Sequence, residues 1–312
     1  MSDVNRTPKI NPSILLVRKK EGRITEEDEL IGFMEGLYEN TKDLDKHKFS
    51  DKNLVYFTLN NDYKFIDLFI LCLQSLLNNS VNRNFDILII CPDVFMSKIN
   101  DMINEKGISL DGINLNFFSV DYVNDGVISS MNKLMIYKWK RIKEYGRVLF
   151  LDVDILFRRD VSELFDLELH AGILYAATHN LSQNLHNTVF HKVVNYSSNK
   201  LTEFRDRYIY AFNAGQYLFL NCELMLGHLL NVDLISREWG GEFFFEQSFM
   251  NLYFNWFLIS DTLVLFDRVQ FVPIHMGESV YKFLTKEKPV FLHFAGHACD
   301  AQQKIQFELR FI

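Results

Sequence analysis

The sequence is poor in several things, and each shortage excludes a class of protein. Its four cysteines, Cys72, Cys91, Cys222 and Cys299, are scattered with no CxxC spacing. That predicts four reduced thiols in a cytosolic protein. With 14 glycines and five prolines in 312 residues, the chain is not a linker-rich array. There is no long basic run, and the net charge is −7, which argues against nucleic acid as the main partner. An anionic substrate would need local help, from a metal or a few placed cations. No uninterrupted apolar run reaches the length of a spanning helix. The opening MSDVNRTPKINPSILLVRKKEG has no long apolar core, so no signal peptide is expected. The expectation is a soluble or peripheral protein on the cytoplasmic side. Internal repeats and low-complexity segments are also missing.

Apolar residues are abundant. They make up 48% of the chain, with 29 Phe and 13 Tyr, enough for a large core in one or two domains. Residues 1–50 are the most polar stretch and read as an N-terminal extension, partly helical. Thr25-Glu26-Glu27-Asp28 resembles a capping box that opens a helix through roughly Tyr38. From residue 53 the pattern alternates. NLVYFTLNND, FDILIICPD, NLNFFSVD and RVLFLD read as strands, and FIDLFILCLQSLLNN, VFMSKINDMINEKG and MNKLMIYKWKRIKEYG as helices. Near-continuous apolar strands alternating with helices predict an α/β fold, its parallel sheet covered on both faces. Beyond residue 160 the order is less regular. GILYAAT, AGQYLFLN and PVFLHFAG read as strands, and CELMLGHLLN and FFFEQSFMNLYFNWF as helices.

The most informative stretch is RVLFLDVDILF, where Asp152 and Asp154 interrupt an apolar run. Burying an unpaired carboxylate is costly, so two of them need a partner. Residues two apart on a strand point the same way, so the pair can converge on one hard cation just past the strand end. Mg²⁺ or Mn²⁺ is commonly held by one or two carboxylates together with substrate phosphates. Ligands on such sheets bind beyond the carboxyl ends of the strands, where this pair lies. The alternatives are two solvated turn aspartates, or the aspartyl nucleophile of a haloacid-dehalogenase-type phosphatase. The latter wants a small residue pair after its second Asp, whereas Ile155-Leu156 follow here.

The residues around the pair add a resemblance. MNKLMIYKWKRIKEYGRVLFLDVDILFRRDVSELFD resembles the central segment of glycosyltransferase family 8, which includes glycogenins and bacterial lipopolysaccharide glucosyl- and galactosyltransferases. VYFTLNNDYKFIDLFILCLQSLL, FNAGQYLFLN and VFLHFAGH resemble three more of its segments in the same chain order. The resemblance implies a GT-A fold, two abutting Rossmann-like halves sharing one mostly parallel central sheet. Residues 51–312 would then form a single catalytic domain. It implies retaining transfer of a hexose, glucose or galactose, from a UDP-sugar to an acceptor hydroxyl, with Mn²⁺ (or Mg²⁺).

Carried over by position, Asp152, Asp154 and His293 would be metal ligands. Leu59, Asn60, Asn61 and Tyr63 match the loop that holds uracil and ribose, and Val153 lies within the DxD motif. Lys133 matches a lysine that reaches donor sugar or phosphate. Asn213, Ala214 and Gly215 match a sugar-contacting segment, and Asp206 could grip sugar hydroxyls. Glu246-Gln247 stands where the family usually has Asp-Gln, near the reacting face of the donor. One departure concerns the motif HxxGxxKPW. Here the run reads HFAGHACDAQQK, so Gly296 and His297 are present but Cys299 stands at the lysine position. His297, Lys304 or Lys288 would have to supply a cation in its place. A UDP-sugar-binding protein without turnover is therefore a second reading. A sugar nucleotidyltransferase is a third, though no Gly-rich phosphate loop is seen near the N-terminus. The acceptor, a glycan, a protein or a lipid-linked sugar, is not encoded in any motif. Residues 179–208 and the C-terminal tail would shape its pocket. Oligomeric state, a homo-oligomer included, is open.

Overall fold

The computed structural model describes residues 27–59, 62–122, 129–178, 210–239, 246–272 and 289–294. The first helix, α1 (Glu27–Thr41), runs three residues past the predicted end, while Thr25 and Glu26 of the expected capping box lie outside the described residues. Two β/α steps and a third strand follow: β1 (Asn53–Thr58), α2 (Lys64–Asn79), β2 (Phe85–Cys91), α3 (Asp93–Glu105) and β3 (Leu115–Ser119). Then come β4 (Arg147–Leu151), β5 (Ile155–Phe157), α4 (Ser162–Phe165) and β6 (Leu174–Thr178). The last described elements are β7 (Phe212–Leu220), α5 (Glu223–Trp239), α6 (Glu246–Trp256), β8 (Ser260–Asp261), β9 (Val269–Phe271) and β10 (Phe291–His293).

Seven strands form one sheet in the order β3-β2-β1-β4-β7-β6-β8. Every neighbouring pair is parallel except those made by β7, which runs against both β4 and β6. The fold is thus α/β with a mostly parallel central sheet. β1, β2 and β4 are buried on both faces, which explains why they read as continuous apolar runs. A second sheet of three short strands, β5-β10-β9, flanks the carboxyl end of β4. Sequence periodicity anticipated β10 but not β5 or β9, because three-residue strands carry too little alternation to register.

One predicted helix comes out differently. MNKLMIYKWKRIKEYG contains a 3₁₀ helix over Met131–Lys138 and a single 3₁₀ turn over Ile142–Glu144. Four consecutive residues, Met131 to Leu134, are buried. A one-sided α-helical stripe does not bury four in a row. The Lys133 carbonyl also accepts a bond from the Tyr56 hydroxyl (3.0 Å).

Two apolar cores lie on the two faces of the sheet. α1 belongs to the second, where Leu30, Ile31 and Met34 are fully buried. Burial of that kind contributes about 1.5–3 kcal/mol per side chain. Gly227 of α5 makes the approach possible, since a Cβ there would stand 2.6 Å from Thr41 Cγ2. Asn231 of α5 ties the pair together, donating to Thr41 Oγ1 (2.9 Å) and to the Tyr253 hydroxyl (2.8 Å). Among the described residues no helix is long and apolar enough to cross a membrane, and Cys72, Cys91 and Cys222 are free and buried.

His228 of α5 is buried, and its Nδ1 lies 3.0 Å from the Tyr253 hydroxyl. That hydroxyl accepts from Asn231, and its own proton is free to be donated to an unprotonated His228 Nδ1. Burial pushes the pKa of His228 down from 6.5 to about 3. The unfolded chain therefore takes up a proton at pH values where the folded protein does not. The contribution to stability is complete above the ordinary histidine value and is lost as pH falls from there towards about 3. Urea unfolding is expected to show a loss of about 1 kcal/mol per pH unit between about pH 6 and pH 4.5. His228→Gln, which keeps an acceptor for Tyr253, should flatten that slope.

Candidate active site

The site lies where β4 ends, at the carboxyl edge of the parallel strands. Asp152 and Asp154 are not on the strand itself but in the bend that joins β4 to β5. The bend, not the strand pleat, brings their carboxylates together. It is held from both sides. Asp152 N–H donates to the Gly215 carbonyl (2.6 Å), and Phe294 N–H donates to the Asp154 carbonyl (2.9 Å). The second bond continues the antiparallel β5–β10 ladder, which sets His293 opposite Ile155. One donor atom each from Asp152, Asp154 and His293 lies within 4.8 Å of the others. His293 Nε2 is 3.2 Å from Asp154 Oδ1.

Three features fit this trio to a divalent cation. Asp154 Oδ1 is buried yet makes no hydrogen bond, so the contact with His293 leaves its lone pairs unsatisfied. Two carboxylates and an imidazole are a donor set that suits Mn²⁺. The third feature is Gly215, where a Cβ would stand 2.5 Å from Asp152 Oδ2, 2.5 Å from His293 Cε1 and 2.8 Å from Asn213 Oδ1. A glycine keeps the cradle open.

β7 is bent to make that cradle. Its register with β6 breaks between Ala176 and Thr178, which pair with Tyr217 and Phe212. Asn213 Oδ1 accepts from Gly215 N–H (2.7 Å), which fixes the turn. α6 holds the freed backbone with side chains four residues apart. Gln247 Oε1 accepts from Ala214 N–H (3.0 Å), and Asn251 both accepts from Phe212 N–H and donates to its carbonyl (2.9 Å each). Asn251 gave no functional signal in the sequence. The i, i+4 spacing of Gln247, Asn251 and Asn255 on an otherwise apolar helix was the available clue.

Lys133 joins the two halves of the site. Its ammonium donates to Glu246 Oε1 (2.8 Å), the Ala214 carbonyl (3.3 Å) and Asp152 Oδ1 (3.4 Å). Burial alone would lower its pKa, but the carboxylates of Asp152 and Glu246 reverse that and raise it. Burial raises the pKa of Asp152; Lys133 pulls it down and Asp154 pushes it up. His293 is also raised, since the neighbouring aspartates outweigh its burial. Glu246 Oε2 is buried with no hydrogen-bond partner.

The remaining predicted residues divide. Leu59 is buried, and its N–H extends the sheet to the Ile90 carbonyl. Tyr63 is exposed and its ring packs on Phe95, which also meets Tyr122 edge-on. The Val153 side chain points into the first core. Asn60, Asn61, Asp206, Gly296 and His297 lie outside the described residues, as do Lys288, Cys299 and Lys304.

Lys133→Met is expected to destabilise the protein by about 3–5 kcal/mol, because it strands buried carboxylate charge. Adding Glu246→Gln should recover part of the loss. A double-mutant cycle by urea denaturation measures both, and additive single effects would contradict the pairing.

The model of Glycosyl transferase family 8 matches residues 54–298. No curated protein matches the chain by sequence. Among solved structures, the bifunctional glycosyltransferase WbbM in its apo form is 17% identical, with 82% of this chain and 50% of that chain covered and a TM-score of 0.57. The galactosyltransferase LgtC in complex with donor and acceptor sugar analogs is 13% identical, with 81% and 95% covered and a TM-score of 0.53. Mouse xyloside xylosyltransferase 1, apo form, is 15% identical, with 79% and 98% covered and a TM-score of 0.50. At such identities the likeness is one of fold, the GT-A type, and this chain spans about half the length of the WbbM chain. The family match covers the β1 region, the Asp152–Asp154 bend, the β7 turn and His293, and the chain belongs to glycosyl transferase family 8.

Proposed function

We propose that this protein transfers a hexose, glucose or galactose, from a UDP-sugar to an acceptor hydroxyl with retention at the anomeric carbon. The observation that carries the reading is the convergence of Asp152, Asp154 and His293 beyond the carboxyl end of β4. These three would hold Mn²⁺ or Mg²⁺, which when bound supplies Lewis-acid neutralisation of the diphosphate leaving group.

The chain's own groups do the rest. Lys133 fixes the side chains of Asp152 and Glu246 in a buried setting. Tyr63, with Asn60 and Asn61, offers an aromatic face and amide edges to the uridine. The Asn213–Gly215 turn lets the donor sugar approach backbone closely. Glu246 Oε2, buried and unpartnered, is available to face the positive charge that develops at the anomeric carbon, and Gln247 lies beside it. In the transfer, the bond from the anomeric carbon to the diphosphate oxygen breaks. A bond from the acceptor oxygen forms on the same face, and the acceptor proton passes to the departing phosphate. Positioning and charge neutralisation supply most of the acceleration. The acceptor is a hydroxyl on a glycan, a protein or a lipid-linked sugar.

A second reading, UDP-sugar binding without turnover, is favoured by one observation: Cys299 stands where the family motif has lysine. UDP release from a panel of UDP-sugars separates the two. Release that needs Mn²⁺, stops with EDTA and falls about 100-fold or more in Asp152→Ala/Asp154→Ala is the expected result. Mn²⁺-dependent UDP binding without release would favour the second reading. Neither binding nor release would refute the metal assignment. Gly215→Ala provides an independent check. It should weaken Mn²⁺–UDP binding by about tenfold or more in calorimetry, since its methyl group intrudes among the ligands.

A further inference from the structure

Gln216 follows the cradle glycine on β7 and is fully buried, yet its register partner on β4 is Leu151 and its surroundings on that face are apolar. A buried amide at such a position is unfavourable unless both its ends are bonded. Both are. Nε2 donates to the Ala177 carbonyl at 3.4 Å, within the break in the β6–β7 register. Oε1 lies 3.0 Å from His293 Nδ1. The bond to Ala177 decides which end of the amide faces the histidine. Oε1 can only accept, so when Nε2 is given to a cation the proton of a neutral His293 sits on Nδ1. The lone pair is then on Nε2, the nitrogen that faces Asp154.

From this arrangement we infer that Gln216 is a positioning residue for the metal site. It fixes both the ring angle of His293 and the tautomer that presents Nε2 to a cation. Partners of this kind behind a ligating histidine typically alter metal affinity by 10–100-fold. The inference rests on the metal reading of Asp152, Asp154 and His293 given above. It adds a residue that does not touch metal, donor or acceptor and acts only through His293. The β7 bulge gives it a second task, since the same amide serves the Ala177 carbonyl.

The test uses the full chain and calorimetry with Mn²⁺ in the presence of UDP. Gln216→Met keeps length and removes both polar ends. It is expected to bind Mn²⁺ about tenfold more weakly than wild type. Gln216→Glu keeps an acceptor towards His293 and should restore affinity to within about threefold of wild type, a rescue that a packing role does not predict. If wild type binds Mn²⁺ and Gln216→Met binds it equally well, the inference is overturned while the metal reading stands. If wild type binds no Mn²⁺, the metal reading fails and this inference with it. Should Gln216→Met not fold, the tautomer of His293 in wild type decides. Histidine-selective ¹⁵N NMR of the wild-type protein with the diamagnetic Mg²⁺ and UDP bound reports the tautomer. The His293 signal, identified by its loss in His293→Gln, should be of the Nδ1–H form. A dominant Nε2–H form overturns the inference.

Discussion

Lys133 Nζ sits at the junction of four chain segments: the 3₁₀ helix that carries it, the Asp152 bend, the β7 turn at Ala214, and the first turn of α6 at Glu246. Its side chain is 6% exposed, and its ammonium also lies 4.8 Å from the centre of the Phe150 ring. One positive charge thus faces Asp152 and Glu246, with Asp154 close by. One lysine set among three acidic side chains is an arrangement that suits an added cation. The segment that carries this charge is a 3₁₀ helix. An α-helical turn would have aimed an amphipathic stripe at the core, whereas the 3₁₀ winding buries Asn132 and Lys133 alongside their apolar neighbours.

The second organising feature is the irregularity of β7. A regular strand would have continued its pairing with β6 and turned side chains alternately to the two cores. The register break interrupts this, so that Ala214 and Tyr217, three positions apart, both pack in the second core. Bulges of this kind re-aim a strand beside an active site. The polar groups so released do not go unsatisfied. Asn213, Gln216, Gln247 and Asn251 take them up, two from β7 and two from α6. Functional shape and backbone satisfaction are met by the same residues.

Much of this was legible in the sequence, for reasons that differ by residue. The parallel strands could be read because burial on both faces writes them as apolar runs. Asp152 and Asp154 stood out because carboxylates are foreign to such a run. His293 and Gly215 were readable only through resemblance, since a lone histidine on an apolar strand and a lone glycine in another carry no chemistry of their own. The 3₁₀ form of residues 131–138 was not legible, because apolar periodicity does not separate a short 3₁₀ run from an α-helix. Gln216 was passed over as part of a strand. Its meaning depends on Ala177 and His293, neither of which is near it in the sequence.

Asp154 and His293 are brought together by the β5–β10 ladder, yet they lie roughly 140 residues apart along the chain, a large entropic span to close. During synthesis the strands up to β4 can assemble first, with the aspartate bend already at their edge. Until β10 arrives, those carboxylates have only Lys133 to answer them. The docking of this three-residue strand therefore brings His293 to the two aspartates. No local segment carries the three side chains together, so the cluster exists only where distant parts of the chain have paired.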